Sequence, residues 1–489
     1  MFLAHLELNA HYGFFRDELY FIVCGRHPAL GYVDQPPLVP LLAALSQSTG
    51  ISLFVLRAIP ALFAAVAAFA AATLAIEFGG SSLAVAICCV CVACSPVLMA
   101  FGARLSPDTL QMALWPLVAL VFVRIARGAH PRYWLVAGAL AGIAWLAKYS
   151  IAFFIVAAIA ALLCTPQRRI LFSRWFIAGA MLALAIAAPN VWWQWQHHWP
   201  MISLLEADKG RPVLSMLYPL QQVLITGPVF AVVWIWGLAY LSRFRELRFL
   251  TVAYLFLIAI MWLLHGKNYY PAPVYPIFFA AGSVPVARAL RRRPVASALA
   301  YTALVLSTFA SLPFIEPILP LQTYIAYQQT LGRALHSRTN AYDASDSTPI
   351  DYYADMTGWP QLAARVRSVY ETLPQRERAQ SAIFAGNTGE ASAIEVFAGS
   401  QLPPVIGGND NYYLWGTRGV SGRVVIDVNG PKLLPNYRSV TLAGYIENPT
   451  AMPYEQHRPI WILRGPKIPL AEFWPSVRDY SYLTADALK

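Results

Sequence analysis

The chain has 489 residues, of which 58% are hydrophobic and 12% charged, against roughly 25% charged in an ordinary soluble domain. That balance excludes a wholly soluble protein and puts the bulk of the chain in lipid. The formal charge of +11 does not point to nucleic acid, because the basic residues lie in short loops between apolar runs rather than in one patch.

A helix rises about 1.5 Å per residue and must cross about 30 Å of hydrocarbon, so each span needs roughly 17 to 25 apolar residues. The first fourteen residues, MFLAHLELNAHYGF, are too short for that and carry His5 and Glu7. They read as a truncated first helix or an interfacial one, and they lack the layout of a cleaved signal peptide. A charged stretch follows, HYGFFRDELYFIVCGRHPALGYVDQPPLVP, residues 11 to 40. Apolar segments then recur at roughly 53–76, 83–103, 109–124, 133–147, 150–164, 174–190, 222–241, 249–264, 271–287 and 295–314. The expected architecture is a polytopic α-helical membrane domain over 1–316, with about 10–11 transmembrane helices and a first outer loop at 15–50, followed by a soluble domain over 317–489.

In that tail, SAIFAGNTGEASAIEVFA (381–398) reads as strand, turn and helix, and GRVVIDVNG and RPIWILRG read as further strands, which predicts a small α/β domain. The GNTGEA turn is a plain turn or an anion seat at a helix N-terminus, and one short glycine-containing loop favours the plain turn.

Lysine and arginine accumulate on the cytoplasmic side of membrane proteins. Arg124, Arg127 and Arg132, then Arg168, Arg169 and Arg174, then Arg243, Arg245 and Arg248, then Arg288 and Arg291 to Arg293 occupy alternate loops. Counting spans from there, the opposite face receives residues 15–50, the turns at 104–108 and 148–149, the loop 191–218, the turn HGKNYYPAP at 265–273 and everything after about 315. Every cluster of mixed polar character falls on that face.

Five of the six cysteines lie inside apolar runs and only Cys24 sits in a polar loop, so no disulfide framework follows. Cys91 and Cys94 form a CxxC without a second pair or His nearby, which reads as helix filler.

The polar clusters carry the chemistry. Only ten of the 25 acids precede residue 317, and three of those ten, Asp17, Glu18 and Asp34, fall in one short stretch. Such carboxylates can hold a divalent cation, or one can act as a general base where apolar surface raises its pKa; the bland alternative is a solvated loop with capping acids. Ser106-Pro107-Asp108 suits a helix start, with Ser106 as N-cap, Pro107 first and Asp108 in the first turn. Arg104 and Asp108 nevertheless share a face with Asp17. The run 133–164 is too long for one span, and Lys148-Tyr149 lies at its midpoint. A lysine at the bilayer centre costs about 2.5 to 3.5 kcal/mol, so the chain is expected to turn there and offer the ammonium to an anion, or to snorkel it to water. His265, Lys267, Tyr269 and Tyr270 gather in one turn whose backbone Pro271 and Pro273 fix. They are interfacial belt residues or a phosphate or sugar site. The stretch APNVWWQWQHHWP reads as aromatic anchoring with a possible stacking role; adjacent His197 and His198 cannot share one helical face, which argues against zinc.

FRDELYFIVCGRHPALGYVDQPPLVPLLAALS, LSPDTL, GIAWLAKYS and HGKNYYPAPVYP, in that order and with these spans between them, resemble the bacterial branch of the protein O-mannosyltransferase family, which includes the aminoarabinose transferases. The family carries a full membrane helix before the first of these motifs, which the first fourteen residues do not supply. The resemblance implies a C-type glycosyltransferase fold in the bacterial inner membrane, with the C-terminal domain periplasmic. It implies an inverting transfer of a sugar from a polyprenyl-phosphate donor to an acceptor glycan, lipid or protein hydroxyl. It implies catalytic roles for Asp17, Glu18 and Asp108, with Lys148 and Lys267 on the donor phosphate and Asp34 in a loop braced by Pro36 and Pro37. Arg104, Tyr149, His265, Tyr269 and Tyr270 join the expected binding set. No cofactor follows with certainty, and a divalent metal ion is the candidate. A transporter or flippase of lipid-linked sugars is the rival reading, but transporters place ionisable groups near the midplane and show repeats, and neither feature is visible here.

Overall fold

In the computed structural model the described residues are 2–8, 11–208, 217–327, 351–451 and 455–480. They divide into two compact units: residues 1–10, 54–193 and 212–318 form the first, and 11–53, 194–211 and 319–489 the second. The charged stretch at 11–40 therefore clusters with the C-terminal part of the chain, not with the helices that follow it in sequence.

The first unit is helical. Among the described residues, five helices are long and apolar enough to cross a membrane: Leu53–Glu77, Pro107–Ala126, Arg174–Gln196, the run Ala272–Leu290 and Pro294–Ile315. Two further segments are bent pairs, Ser82–Cys94 with Pro96–Ala103 and Tyr218–Thr226 with Pro228–Ser242. Three shorter apolar helices, Tyr133–Ala147, Ile151–Leu163 and Arg248–Leu263, complete a set that matches the ten apolar segments of the sequence. The chain is a multi-pass membrane protein.

The bends have chemical causes. Pro96 has no N–H to donate, and its span bends there by 63°, the kind of break that a missing donor favours. Gly227, at φ 85°, precedes Pro228 and turns the other span by 115°. A break in lipid leaves backbone groups that must find partners. The Ser95 hydroxyl donates to the Thr226 carbonyl at 3.0 Å, so one broken helix satisfies the end of the other. Close helix contact comes from glycine: a Cβ on Gly282 would lie 1.8 Å from the Val233 carbonyl oxygen, which only a bare backbone permits.

The two ends of this unit differ in chemistry. At one end Arg124 Nε donates to Glu77 Oε1 at 2.8 Å and Tyr240 donates to the Phe78 carbonyl at 3.0 Å, so the basic loops gather. At the other lie the turns at 104–108, 148–150 and 265–271. The helix Arg174–Gln196 runs through Trp192, Trp193 and Trp195, where a loop from 191 is expected from the sequence. A second helix follows at Pro200–Asp208, and residues 209–216 of that expected loop lie outside the described set.

The second unit is built on a five-stranded sheet of order β2-β1-β3-β5-β4, with β1 Ser381–Ala385, β2 Val405–Gly407, β3 Val424–Val428, β4 Tyr437–Ile446 and β5 Arg458–Pro466. The strands β2, β1 and β3 are parallel, and β5 and β4 add antiparallel. Helix Thr388–Ala398 connects β1 to β2, the parallel crossover expected of such a unit. Phe384, Ile406, Val425, Leu463, Phe473, Trp474 and Val477 fill one core. Asn387 caps the crossover helix by accepting from Glu390 N at 3.0 Å, and Glu390 Oε2 accepts from Gly386 N at 2.9 Å. The GNTGEA turn thus binds its own carboxylate at the helix N-terminus, in accord with the plain-turn reading. The first-loop helix Arg16–Arg26 packs on this crossover helix. A Cβ on Gly389 would sit 2.4 Å from Arg16 Cγ, so glycine is needed beneath that side chain.

Candidate functional site

The sequence-predicted residues fall into two groups, one in each unit. In the first unit, the hairpin between Tyr133–Ala147 and Ile151–Leu163 puts Lys148 at a helix C-cap in extended backbone, at the turn expected from the cost of leaving it in lipid. Its ammonium donates to Asp108 Oδ2 at 2.6 Å. It also lies 4.6 Å from the Tyr270 ring centre and 5.5 Å from that of Tyr269, within reach of the negative ring faces. Asp108 reaches it because Ser106 caps and Pro107 starts the helix Pro107–Ala126, as the sequence indicates. Three turns that are far apart in sequence thus meet at one cation, and the anion that the lysine requires is supplied by the protein.

Two buried glutamines build this turn cluster, and neither was singled out from the sequence. Gln111 Nε2 donates to the Ala144 carbonyl at 2.7 Å and Gln111 Oε1 accepts from Trp115 at 2.6 Å, which fixes the helix end that carries Lys148. Gln222 Nε2 donates to the Asn268 carbonyl at 2.9 Å, while Gln222 Oε1 accepts from the Tyr275 hydroxyl at 2.7 Å. Tyr218 donates to the Lys267 carbonyl at 3.2 Å, so Lys267 sits in a turn held by its backbone. The signal in the sequence is a polar glutamine within each apolar run, which is costly in lipid unless its amide is satisfied.

The remaining residues of this group are placed less centrally. Arg104 caps the helix Pro96–Ala103 and its carbonyl accepts from the Thr109 hydroxyl at 2.9 Å. Tyr149 packs edge-on against Trp145. His265 is exposed in left-handed backbone, φ 53°.

In the second unit, Asp17 lies in the first turn of Arg16–Arg26, where its charge favours the positive helix end. It is half exposed and accepts from Arg16 Nε at 3.2 Å. Arg16 also lies 3.8 Å from Asp355. Glu18 is fully buried and Glu18 Oε2 accepts from Phe15 N at 2.9 Å, the reach-back bond of a helix cap. Its local bonding is that of a capping acid, whereas Asp17 presents its carboxylate outward. Asp34 Oδ1 accepts from the Tyr20 hydroxyl at 3.3 Å. Burial pushes the Asp34 carboxyl up to about 7, and the Asp17 charge adds to the rise against a backbone hydrogen bond and the Tyr20 hydroxyl. Among the described residues no three His, Cys, Asp or Glu side chains converge as a metal-ligand set. No chemical step is routed through a metal.

The chain matches ArnT from Cupriavidus metallidurans in its apo state with a TM-score of 0.62 at 13% identity, over 95% of this chain and 97% of that one. The chain has the C-type glycosyltransferase fold. The same ArnT bound to undecaprenyl phosphate matches with a TM-score of 0.59 at 14% identity, over 95% of this chain and 98% of that one. Residues 34–193 match the dolichyl-phosphate-mannose-protein mannosyltransferase family. The lipid A galacturonosyltransferase RgtD of Rhizobium johnstonii is 28% identical over 191 residues, 38% of this chain. That match spans 39% of the length of the curated relative.

Proposed function

We propose that the protein transfers a sugar from a polyprenyl-phosphate donor to an acceptor hydroxyl on the periplasmic face of the bacterial inner membrane, with inversion. The observation that carries this reading is the Lys148 cluster. A cation at the membrane boundary, ringed by Tyr269 and Tyr270 and paired to Asp108, suits a lipid-linked phosphate that approaches from the bilayer. The C-type fold and the names of the similar proteins support the same reaction class. The face is argued from the basic loops, and the acceptor glycan, lipid or protein hydroxyl is left at the level of a hydroxyl.

In a single displacement the acceptor oxygen forms a bond to the anomeric carbon as the carbon–oxygen bond to phosphate breaks. The acceptor proton passes to a carboxylate and the bonding pair leaves with the phosphate. Asp17 is assigned as the favoured proton acceptor, with Glu18 supporting its helix turn. Lys148 and Lys267 offset charge on the departing phosphate, which is where fixed cations contribute most. Asp108 orients Lys148. Arg104, Tyr149, His265, Tyr269, Tyr270 and Asp34 form the proposed binding set.

The test is sugar release from a panel of radiolabelled undecaprenyl-phosphate sugars by the purified full chain in detergent. Wild type is compared with Asp17→Asn and Lys148→Ala, each with and without chelator. Loss in both variants supports the assignment, and chelator sensitivity would add a metal to it. No turnover across the panel by protein that melts cooperatively would sink the transferase and leave transport of lipid-linked sugars.

A further inference from the structure

Asn411 belongs to the short helix Asp410–Leu414 after β2, nearly four hundred residues from the first outer loop, yet it is 1% exposed and all of its amide is spent on that loop. Val33 N donates to Asn411 Oδ1 at 3.2 Å. Because a backbone N–H can only donate, this bond fixes which end of the amide is oxygen. The Nδ2 end then donates to the Tyr20 hydroxyl oxygen at 2.5 Å. A phenol has one proton. With its oxygen accepting from Asn411, that proton is directed to Asp34 Oδ1 at 3.3 Å. The polarity of the chain Asn411 to Tyr20 to Asp34 is therefore set at the Asn411 end.

We propose that Asn411, supplied by the C-terminal sheet domain, is a positioning residue for the Asp34 carboxylate and acts through the Tyr20 phenol. Its value for catalysis rests on the transferase reading above; the hydrogen-bond relay does not. The C-terminal domain would then be part of the working enzyme, because it sets the orientation and charge of a first-loop carboxyl. The titratable and charged groups around Asp34 are Asp17, Tyr20 and Cys24 on the first-loop helix, Tyr32 in the same loop as Asp34, and Asp410 from the sheet domain. Asp410 in turn faces Asp479, Asp17 and Arg16. Asp410 Oδ1 is buried without a hydrogen-bond partner among the described residues, and beside the Tyr20 hydroxyl a backbone hydrogen bond also acts on the Asp34 carboxyl.

A donor hydrogen bond favours the ionised carboxyl. Asn411→Ala removes the shorter of the two donors that this residue gives the Tyr20 oxygen and leaves its backbone N–H at 3.4 Å, which loosens the Tyr20 proton, so Asp34 should hold its proton to higher pH. The experiment is an infrared pH titration of the full chain in detergent, following the protonated-carboxyl band that Asp34→Asn removes. Asn411→Ala and Tyr20→Phe should each move its midpoint up by about one pH unit or less, and the double variant should move it no further than Tyr20→Phe alone. The control is Val425→Ala in the sheet core, which should lower the melting temperature and leave the midpoint in place. An unmoved midpoint in Asn411→Ala, or an equal shift in Val425→Ala, would overturn the relay. This readout needs no turnover. If the relay holds while no undecaprenyl-phosphate sugar is consumed, the transferase reading fails and the positioning contact stands.

Discussion

The Lys148 ammonium lies 2.6 Å from Asp108 Oδ2 and faces the Tyr270 ring, so the cation at the membrane boundary carries its own counter-ion. A donor phosphate would compete with Asp108 for it or join it. Either way, the pair has separable structural and chemical roles. Breaking a largely buried pair by removing one partner costs about 3 to 5 kcal/mol, whereas replacing both by apolar groups can be neutral. Lys148→Met and Asp108→Leu should each lower the melting temperature in detergent, and the double variant should recover most of the loss. Sugar release should stay low in all three if Lys148 holds phosphate. Recovery of activity in the double variant would reduce the pair to a structural tie.

Gln222 gives a second handle on the same turn. It bonds the Asn268 carbonyl and the Tyr275 hydroxyl, and so fixes the turn that carries Lys267, Tyr269 and Tyr270. Gln222→Leu loses one backbone tie and leaves a buried hydroxyl without its acceptor, a cost of about 1 to 3 kcal/mol. If the turn positions the donor, KM for the polyprenyl-phosphate sugar should rise several-fold, with a smaller effect on kcat. A fall in kcat at constant KM would place the effect on the chemical step.

The contact between Arg16 and Gly389 links the Asp17 helix to the crossover helix. Gly389→Ala puts a Cβ 2.4 Å from Arg16 Cγ, and overpacking of this kind costs about 1 to 3 kcal/mol. The variant should melt earlier, and adding Arg16→Ala should restore the melting temperature because it removes the obstructing side chain. If the second substitution deepens the loss, then the Arg16 bonds to Asp17 and Asp355 matter more than the clash.

Much of this architecture is written in local sequence. Span lengths follow from the bilayer, and the turn at Lys148 follows from the cost of a lysine in hydrocarbon. The cap at Ser106-Pro107-Asp108 is a local signal too, and so are β1, β3 and β5, whose strands are continuous apolar runs or nearly so. What escaped is non-local or weakly patterned. Nothing near Lys148 says that its partner is forty residues away, and nothing near Tyr20 announces Asn411. The edge strand β4, with Val440 and Leu442 exposed, lacks the alternation that marks a half-buried strand. The bends at Ser95-Pro96 and Gly227-Pro228 did carry a signal, a proline within each apolar run. The size of the bend depends on which neighbour can satisfy the broken helix end, and that neighbour is again distant in sequence.

The sheet domain carries a buried acid pair that should make it sensitive to pH. Burial pushes Glu390 up to about 7, against hydrogen bonds from Glu455, Asn429 and the backbone. Glu455, also buried, is raised well above the usual carboxylate range by burial and by Glu390. Asn387 Nδ2 donates to Glu455 Oε1 at 2.7 Å, and Asn429 Nδ2 to Glu390 Oε1 at 2.9 Å. A carboxyl whose pKa is higher folded than unfolded binds more protons in the native state, so stability falls as pH rises. The fall should begin near the unfolded value of about 4.3 and continue through about 7, the folded value for Glu390. Denaturant unfolding of the full chain in detergent, followed at the sheet domain's tryptophans between pH 5 and pH 8, should therefore show lower stability at the alkaline end. Glu390→Gln keeps an acceptor for Asn429 or Gly386 and can donate to Glu455. It should flatten the profile and leave the domain more stable than wild type at pH 8. A profile as steep as wild type in Glu390→Gln would locate the proton uptake elsewhere, with Asp410 and Asp427, both raised by burial, as the next groups to neutralise.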